Sequence, residues 1–209
     1  MHPDQKVDSP SRPTSPWLLP LAIVVGVTLL LIVLVSRPRT DPVGIHHPGV
    51  GGRIGKFSVQ PLLNTEQRVS LDDLHGKVTL INCWGPWCGP CLMEMPELLK
   101  LEVRYRGRND VQVLLVSYPH DRQETLDDLR DSSQATLKRF RADPPIYHDL
   151  DFALGKELAA AAQLNGFGFP TTVLLDGEGV IRGVWTGYDS RFVDDMGQAI
   201  EATLAKTAH

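Results

Sequence analysis

Val78-Thr79-Leu80-Ile81-Asn82-Cys83-Trp84-Gly85-Pro86-Trp87-Cys88-Gly89-Pro90-Cys91 is the stretch that decides the fold. Its first seven residues form a nearly continuous apolar run, the pattern of a strand covered on both faces of a sheet. From Cys88 to about Arg106, Leu92, Met95, Leu99 and Val103 recur at helical spacing, with Pro90 near the first turn and Pro96 as a kink. A buried strand that runs directly into a helix is the repeating unit of an α/β domain.

The junction also carries chemistry. Backbone N–H groups and the helix dipole at a helix start stabilise an anion, and a thiolate is such an anion. Cys88 is expected at the exposed N-terminal edge with a lowered pKa and reads as a nucleophile, while Cys91, inside the first turn, is placed to attack a mixed disulfide formed by Cys88. A structural zinc site needs four ligands, and no second Cys or His pair stands at matching spacing, so no metal site is assigned.

Outward from the junction the alternation continues. Phe57–Leu62 reads as a strand before it, and Val111–Ser117 as another buried strand after it. Residues 123–141 read as a polar helix with acidic residues early and Lys138, Arg139 and Arg141 at its end. A short strand near Ile146-Tyr147 precedes a helix from about Phe152 to Gln163. Thr171–Asp176 and Val180–Thr186 flank the turn Gly177-Glu178-Gly179 as a hairpin, and a last helix aligns Phe192, Met196, Ile200 and Leu204.

Toward the N-terminus the composition changes. Residues 1–16 hold four prolines and three serines and read as a disordered tail. Residues 17–35 carry no charge over 19 positions, enough for one transmembrane anchor, and Val35-Ser36-Arg37-Pro38 is no signal-peptide cleavage site. Residues 36–55, with five glycines and three prolines, read as a flexible tether, in which His46-His47 is solvated. The domain is expected over residues 56–209. Lys6 and Arg12 before the span are matched by Arg37 and Arg39 after it, so charge does not set orientation. With 21 basic and 25 acidic residues the chain carries a net charge of -4, which gives no bulk attraction to nucleic acid.

On the motif Trp87–Cys91, and on Gly168-Phe169-Pro170-Thr171-Thr172 before an apolar strand, the chain resembles the thioredoxin superfamily, and within it the membrane-anchored TlpA/ResA-like thiol-disulfide oxidoreductases. The resemblance covers most of residues 57–205 and implies a thioredoxin-like fold. The 53 residues between Ser117 and Thr171 match the helix and strand inserted centrally in this branch. It also implies a cis bond at Pro170, facing the cysteines, with Phe169 presenting backbone to an extended client segment. Asn82 stands where ordinary thioredoxins bury an acidic residue, and Glu94, three residues after Cys91, matches a functional glutamate of the branch. A carboxylate beside a partly buried thiol is suited to take its proton near neutral pH. The helical stripe is expected to leave Glu94 on the open side of the site. Trp87 reads as a surface platform beside the nucleophile, Trp84 as packing, and Cys83 as a small buried hydrophobe. His75, His120 and His148 stand isolated and receive no role.

The activity implied is reduction of disulfides in extracytoplasmic proteins, apocytochromes c among them, by the Cys88/Cys91 dithiol without a bound cofactor. Electrons would arrive from a membrane thiol carrier, and the domain would face the periplasmic side. Two other classes compete. A peroxiredoxin-type thiol peroxidase usually has Thr or Ser three residues before its nucleophile, where this chain has Gly85. A Sco-like copper chaperone would use the cysteine pair with a distant histidine such as His120, but spaces its cysteines by three residues.

Overall fold

The computed structural model describes residues 24–29 and 43–207. Residues 24–29 are helical. The remainder of the apolar run at 17–35 and the tail at 1–16 lie outside the described residues. Among those described, no helix is long and apolar enough to cross a membrane.

The compact unit that begins at Asp41 contains β1 (Ser58–Leu63), β2 (Val69–Ser70), β3 (Val78–Trp84), α1 (Gly89–Tyr105), β4 (Val111–Ser117), α2 (Leu126–Phe140), β5 (Ile146–His148), α3 (Ala153–Ala161), β6 (Thr171–Leu175), β7 (Ile181–Thr186) and α4 (Phe192–Thr207). The strands form one sheet in the order β2-β1-β5-β4-β3-β6-β7. β3, β4 and β5 run parallel, and β6 lies antiparallel to β3. This is a thioredoxin-like α/β fold, with α2 and β5 in the segment read as a central insertion.

Side chains alternate between the faces of the sheet. From β3, Leu80 packs with Leu98 and Leu101 of α1 and with Met196 and Ile200 of α4, while Trp84 packs with Leu99 of α1 and Leu129 and Leu137 of α2. Ile81 and Cys83 point the other way and meet Leu154 and Leu158 of α3. All seven residues of β3 are buried, as its apolar run predicts.

Helix ends follow local chemistry. Thr125 caps α2 by accepting the Asp128 N–H, and the Asp128 carboxylate accepts the Thr125 N–H at 3.0 Å, a reciprocal capping box. α1 continues through Pro96 as a single element of 17 residues. Its buried face keeps Met95 and Leu99 of the expected stripe but extends well beyond them. Cys91, Glu94, Leu98, Leu101, Glu102 and Tyr105 are covered as well, whereas Val103 is 61% exposed. The helix is packed by the sheet, α2 and α4 together, so it buries a wider arc than a four-residue stripe describes.

A second correction concerns the tether expected over residues 36–55. Residues 43–54 lie along the outer edge of β7. Gly44 and Val184 exchange backbone hydrogen bonds, the Val184 N–H donating to Gly44 O at 3.0 Å, and the Gly51 N–H donates to Ile181 O at 2.9 Å. Ile54 is 2% exposed and packs into the core on the α3 face. The segment covers strand groups that an open edge would leave unpaired. Its glycines serve contact as well as turning: a Cβ on Gly49 or Gly52 would fall 2.2 or 2.1 Å from carbonyl oxygens of Ala162 and Ala161 at the end of α3. Within the turn, His47 Nδ1 accepts the Gly49 N–H at 3.0 Å.

Candidate active site

The chain leaves β3 at Trp84 and enters α1 at Gly89, and the turn between them presents the cysteine pair. Cys88 is the N-cap of α1, with Pro90 in the first turn, where a missing N–H breaks no helical bond. Cys88 and Cys91 are joined as a disulfide with their Cα atoms 5.2 Å apart. The Cys91 N–H points at Cys88 Sγ, 3.2 Å away, so an unpaired helical donor is aimed at the sulfur expected to carry negative charge. Cys88 is nearly as covered as Cys91, although it was expected at an exposed edge. Gly89 and Pro90 beside it are exposed.

Glu94 corrects the sequence reading more sharply. It does not face the open side: it is 1% exposed, on the same covered arc of α1 as Cys91. Asn82 Nδ2 on β3 donates to Glu94 Oε2 at 3.1 Å and to Thr172 Oγ1 on β6 at 2.8 Å. Glu94 Oε1 and Asn82 Oδ1 receive no hydrogen bond among the described residues. Burial therefore pushes the Glu94 carboxyl up to about 7, and the single Asn82 bond offsets only part of that. The group is poised to exchange a proton near neutral pH.

Aromatic rings gather beside the cysteine turn. Trp87 is 42% exposed, and its ring meets Phe169 at 5.4 Å and His120 at 5.2 Å, both edge to face. Gly85 permits this, because a Cβ there would come within 2.5 Å of Trp87 Nε1. The Phe169-Pro170 peptide is cis. The loop is closed by the Thr171 hydroxyl donating to Gly168 O at 2.8 Å and the Gly187 N–H donating to Pro170 O at 2.8 Å. Phe169 packs against the cluster that contains Cys88 and Cys91. Phe169 also lines a cavity of about 460 Å³ together with Tyr118, Arg122, Phe152 and Lys156.

The structure thus brings Phe169, which precedes the cis Pro170, against Trp87 and the cluster of Cys88 and Cys91, and sets Glu94 in the core on the covered face of α1. Cys83 and Trp84 are fully buried, as their packing roles require, and burial raises the Cys83 thiol to about 12. Sequence reasoning passed over Thr172, Tyr118 and Asp149, and gave His120 no role. Thr172 could have been found from pairing, since it is the register partner of Asn82. His120 reaches Trp87 through a loop whose course no local pattern announces.

Comparison with known proteins agrees with this geometry. The Redoxin family matches residues 50–200. Thioredoxin-like protein YneN of Bacillus subtilis (strain 168) is 30% identical over 169 residues, 78% of this chain and 88% of that protein. Thiol:disulfide interchange protein DsbE of Escherichia coli (strain K12) is 29% identical over 169 residues, 79% of this chain and 81% of that protein. In fold, the crystal structure of a DsbF homologue from Corynebacterium diphtheriae matches with a TM-score of 0.60 at 20% identity, over 80% of this chain and 96% of that one. The cysteine pair at a strand-to-helix turn, the cis-proline loop facing it and these likenesses converge: the chain belongs to the Redoxin family and is a thioredoxin-superfamily thiol-disulfide oxidoreductase of the DsbE/ResA/TlpA type.

Proposed function

We propose that the Cys88/Cys91 dithiol reduces disulfides of extracytoplasmic client proteins, apocytochromes c among them. The observation that carries this reading is the Cys91 N–H aimed at Cys88 Sγ at the start of α1, with a buried carboxyl on the same helix face.

Cys88, as thiolate, attacks one sulfur of the client disulfide. A Cys88–client bond forms, the client S–S bond breaks, and one client thiolate leaves. Glu94, ionised, takes the proton of Cys91, whose thiolate then attacks Cys88 Sγ. The mixed disulfide breaks, the second client thiolate departs, and the Cys88–Cys91 bond forms. The client gains two electrons and the enzyme loses two. Trp87, Phe169 and Pro170 border the path along which an extended client segment would lie. No cofactor takes part beyond the disulfide itself. A membrane thiol carrier returns the enzyme to its dithiol form, with residues 17–35 as the anchor and the domain on the periplasmic side. Gly89-Pro90 between the cysteines matches thioredoxin, whose potential of about -270 mV lies at the reducing end of the scale.

Equilibration of the pair with defined thiol-disulfide buffers tests the direction. A potential well below about -200 mV is expected, whereas one near the -120 mV of a strong oxidant would reverse it. Cys91→Ser should accumulate the Cys88–client mixed disulfide, which gel analysis of the trapped adduct would detect.

A further inference from the structure

Trp87 and Phe169 stand on different loops, yet one residue outside both loops touches each of them. Tyr118 follows β4. Its peptide carbonyl accepts the Trp87 Nε1–H at 3.0 Å, and its ring lies 5.1 Å from the Phe169 ring. Phe152 of the α3 N-cap adds an edge-to-face contact with Tyr118 at 5.5 Å.

The Tyr118 ring is itself fixed at its far end. The hydroxyl donates to Asp149 Oδ2 at 2.8 Å and accepts the Cys83 S–H at 3.8 Å. Asp149 is 4% exposed and takes two further donors from the first turn of α3, Ala153 N–H on Oδ1 at 2.9 Å and Gly155 N–H on Oδ2 at 3.0 Å. Three donors and a helix N-terminus hold this carboxylate in one place. A phenylalanine over a leucine would fill the same volume without removing a carboxylate and a phenol from water. What the polar pair adds is a defined position, because a hydrogen bond to a fixed acceptor leaves the ring one rotation and one depth. That position passes to the Phe169 ring by direct contact and to Trp87 through the Tyr118 backbone, whose carbonyl accepts the indole N–H.

We propose that Tyr118, anchored by Asp149, is a positioning residue for client recognition. It fixes the Trp87 and Phe169 walls between which an apolar client segment lies, and so governs affinity for protein disulfides without entering sulfur exchange. The inference rests on the proposed disulfide-exchange reading of this site.

The test uses the full chain in its dithiol form, as wild type, Tyr118→Phe and Asp149→Asn. Two substrates are compared: oxidised glutathione, which is too small to span the aromatic walls, and a disulfide-bridged peptide with apolar residues beside its cysteine. Loss of one hydrogen bond is expected to raise KM for the peptide about fivefold in Tyr118→Phe, with kcat and the glutathione rate within about twofold. Asp149→Asn keeps an acceptor oxygen, and its KM should fall between wild type and Tyr118→Phe. Exchange of the Trp87 indole N–H, followed by NMR, should accelerate in both variants. A purely packing role would leave the KM difference between the substrates at wild-type level. An unchanged peptide KM, or equal slowing with both substrates, overturns the proposal. Should Tyr118→Phe fail to fold, Asp149→Asn alone decides by the same criteria. If the wild type reduces neither substrate, the reductase direction falls, and the same KM comparison is made for oxidation of the peptide dithiol by the disulfide form.

Discussion

Asn82 on β3 and Glu94 on α1 meet inside the core, amide to carboxyl at 3.1 Å, and Asn82 is the one hydrogen-bond donor to that carboxyl among the described residues. A neutral amide relieves part of the desolvation without supplying a counter-charge. The carboxyl therefore titrates near neutrality, which a lysine or arginine partner would prevent.

The pH dependence of stability follows from this pair. The Glu94 carboxyl titrates at about 7 in the folded protein against an ordinary 4.5, so between those values the folded state holds more protons than the unfolded state. Its contribution is complete below pH 4.5 and is lost as pH rises through about 7, a decline of about 3 kcal/mol. Guanidinium unfolding of the disulfide form at pH 5 and pH 8 should show Glu94→Gln losing less stability than wild type over that interval. Equal slopes in both proteins would contradict a buried Glu94.

Kinetics should report the same group from the other side. If Glu94 takes the Cys91 proton, release of the trapped client accelerates as pH rises through about 7. Asn82→Ala removes the donor and should move that midpoint up by about one pH unit. Glu94→Gln should flatten the profile and slow release about a hundredfold. A profile in Glu94→Gln indistinguishable from wild type would remove Glu94 from the chemistry.

Cys83 should be chemically silent. Its side chain is fully buried, and burial drives the thiol up to about 12, so almost none is thiolate at neutral pH. Alkylation followed by mass spectrometry should label no cysteine in the native disulfide form and one after unfolding. Native labelling at Cys83 would show that β3 opens locally.

Residues 43–54 should contribute to folding stability as part of the domain. Ile54→Ala is expected to cost about 2–4 kcal/mol in guanidinium unfolding, as for a fully buried isoleucine truncated in a core. A loss under about 0.5 kcal/mol, the scale of an ordinary surface substitution, would return this stretch to the status of a tether.

Much of the architecture was legible because its signals are local. The apolar run of β3, the hairpin around Gly177-Glu178-Gly179 and the cysteine turn each declare themselves within a few residues. The errors came where local composition has two physical meanings. Glycines at 49 and 52 suit a flexible linker equally well as a segment pressed against a helix end, and only the partner surface distinguishes them. The helical stripe leaves Glu94 off its apolar line and so on the open side, yet Asn82 and Thr172 give it a buried polar pocket. Tyr118 and Asp149 are 31 residues apart, and nothing at either position announces that they meet.

In β3, Asn82 and Cys83 are successive residues that serve opposite sides of the sheet: Asn82 reaches Glu94, and Cys83 reaches Tyr118. Strand geometry ties these assignments to parity, so a slip of one residue would bring either Cys83 to the carboxyl and Trp84 to the phenol, or Ile81 to the carboxyl and Asn82 to the phenol. Acid–base poise and the placement of the aromatic walls are thereby locked to a single register. A lineage could retune either side by substitution, but it could not lengthen or shorten this strand by one residue upstream of Asn82 without scrambling both at once.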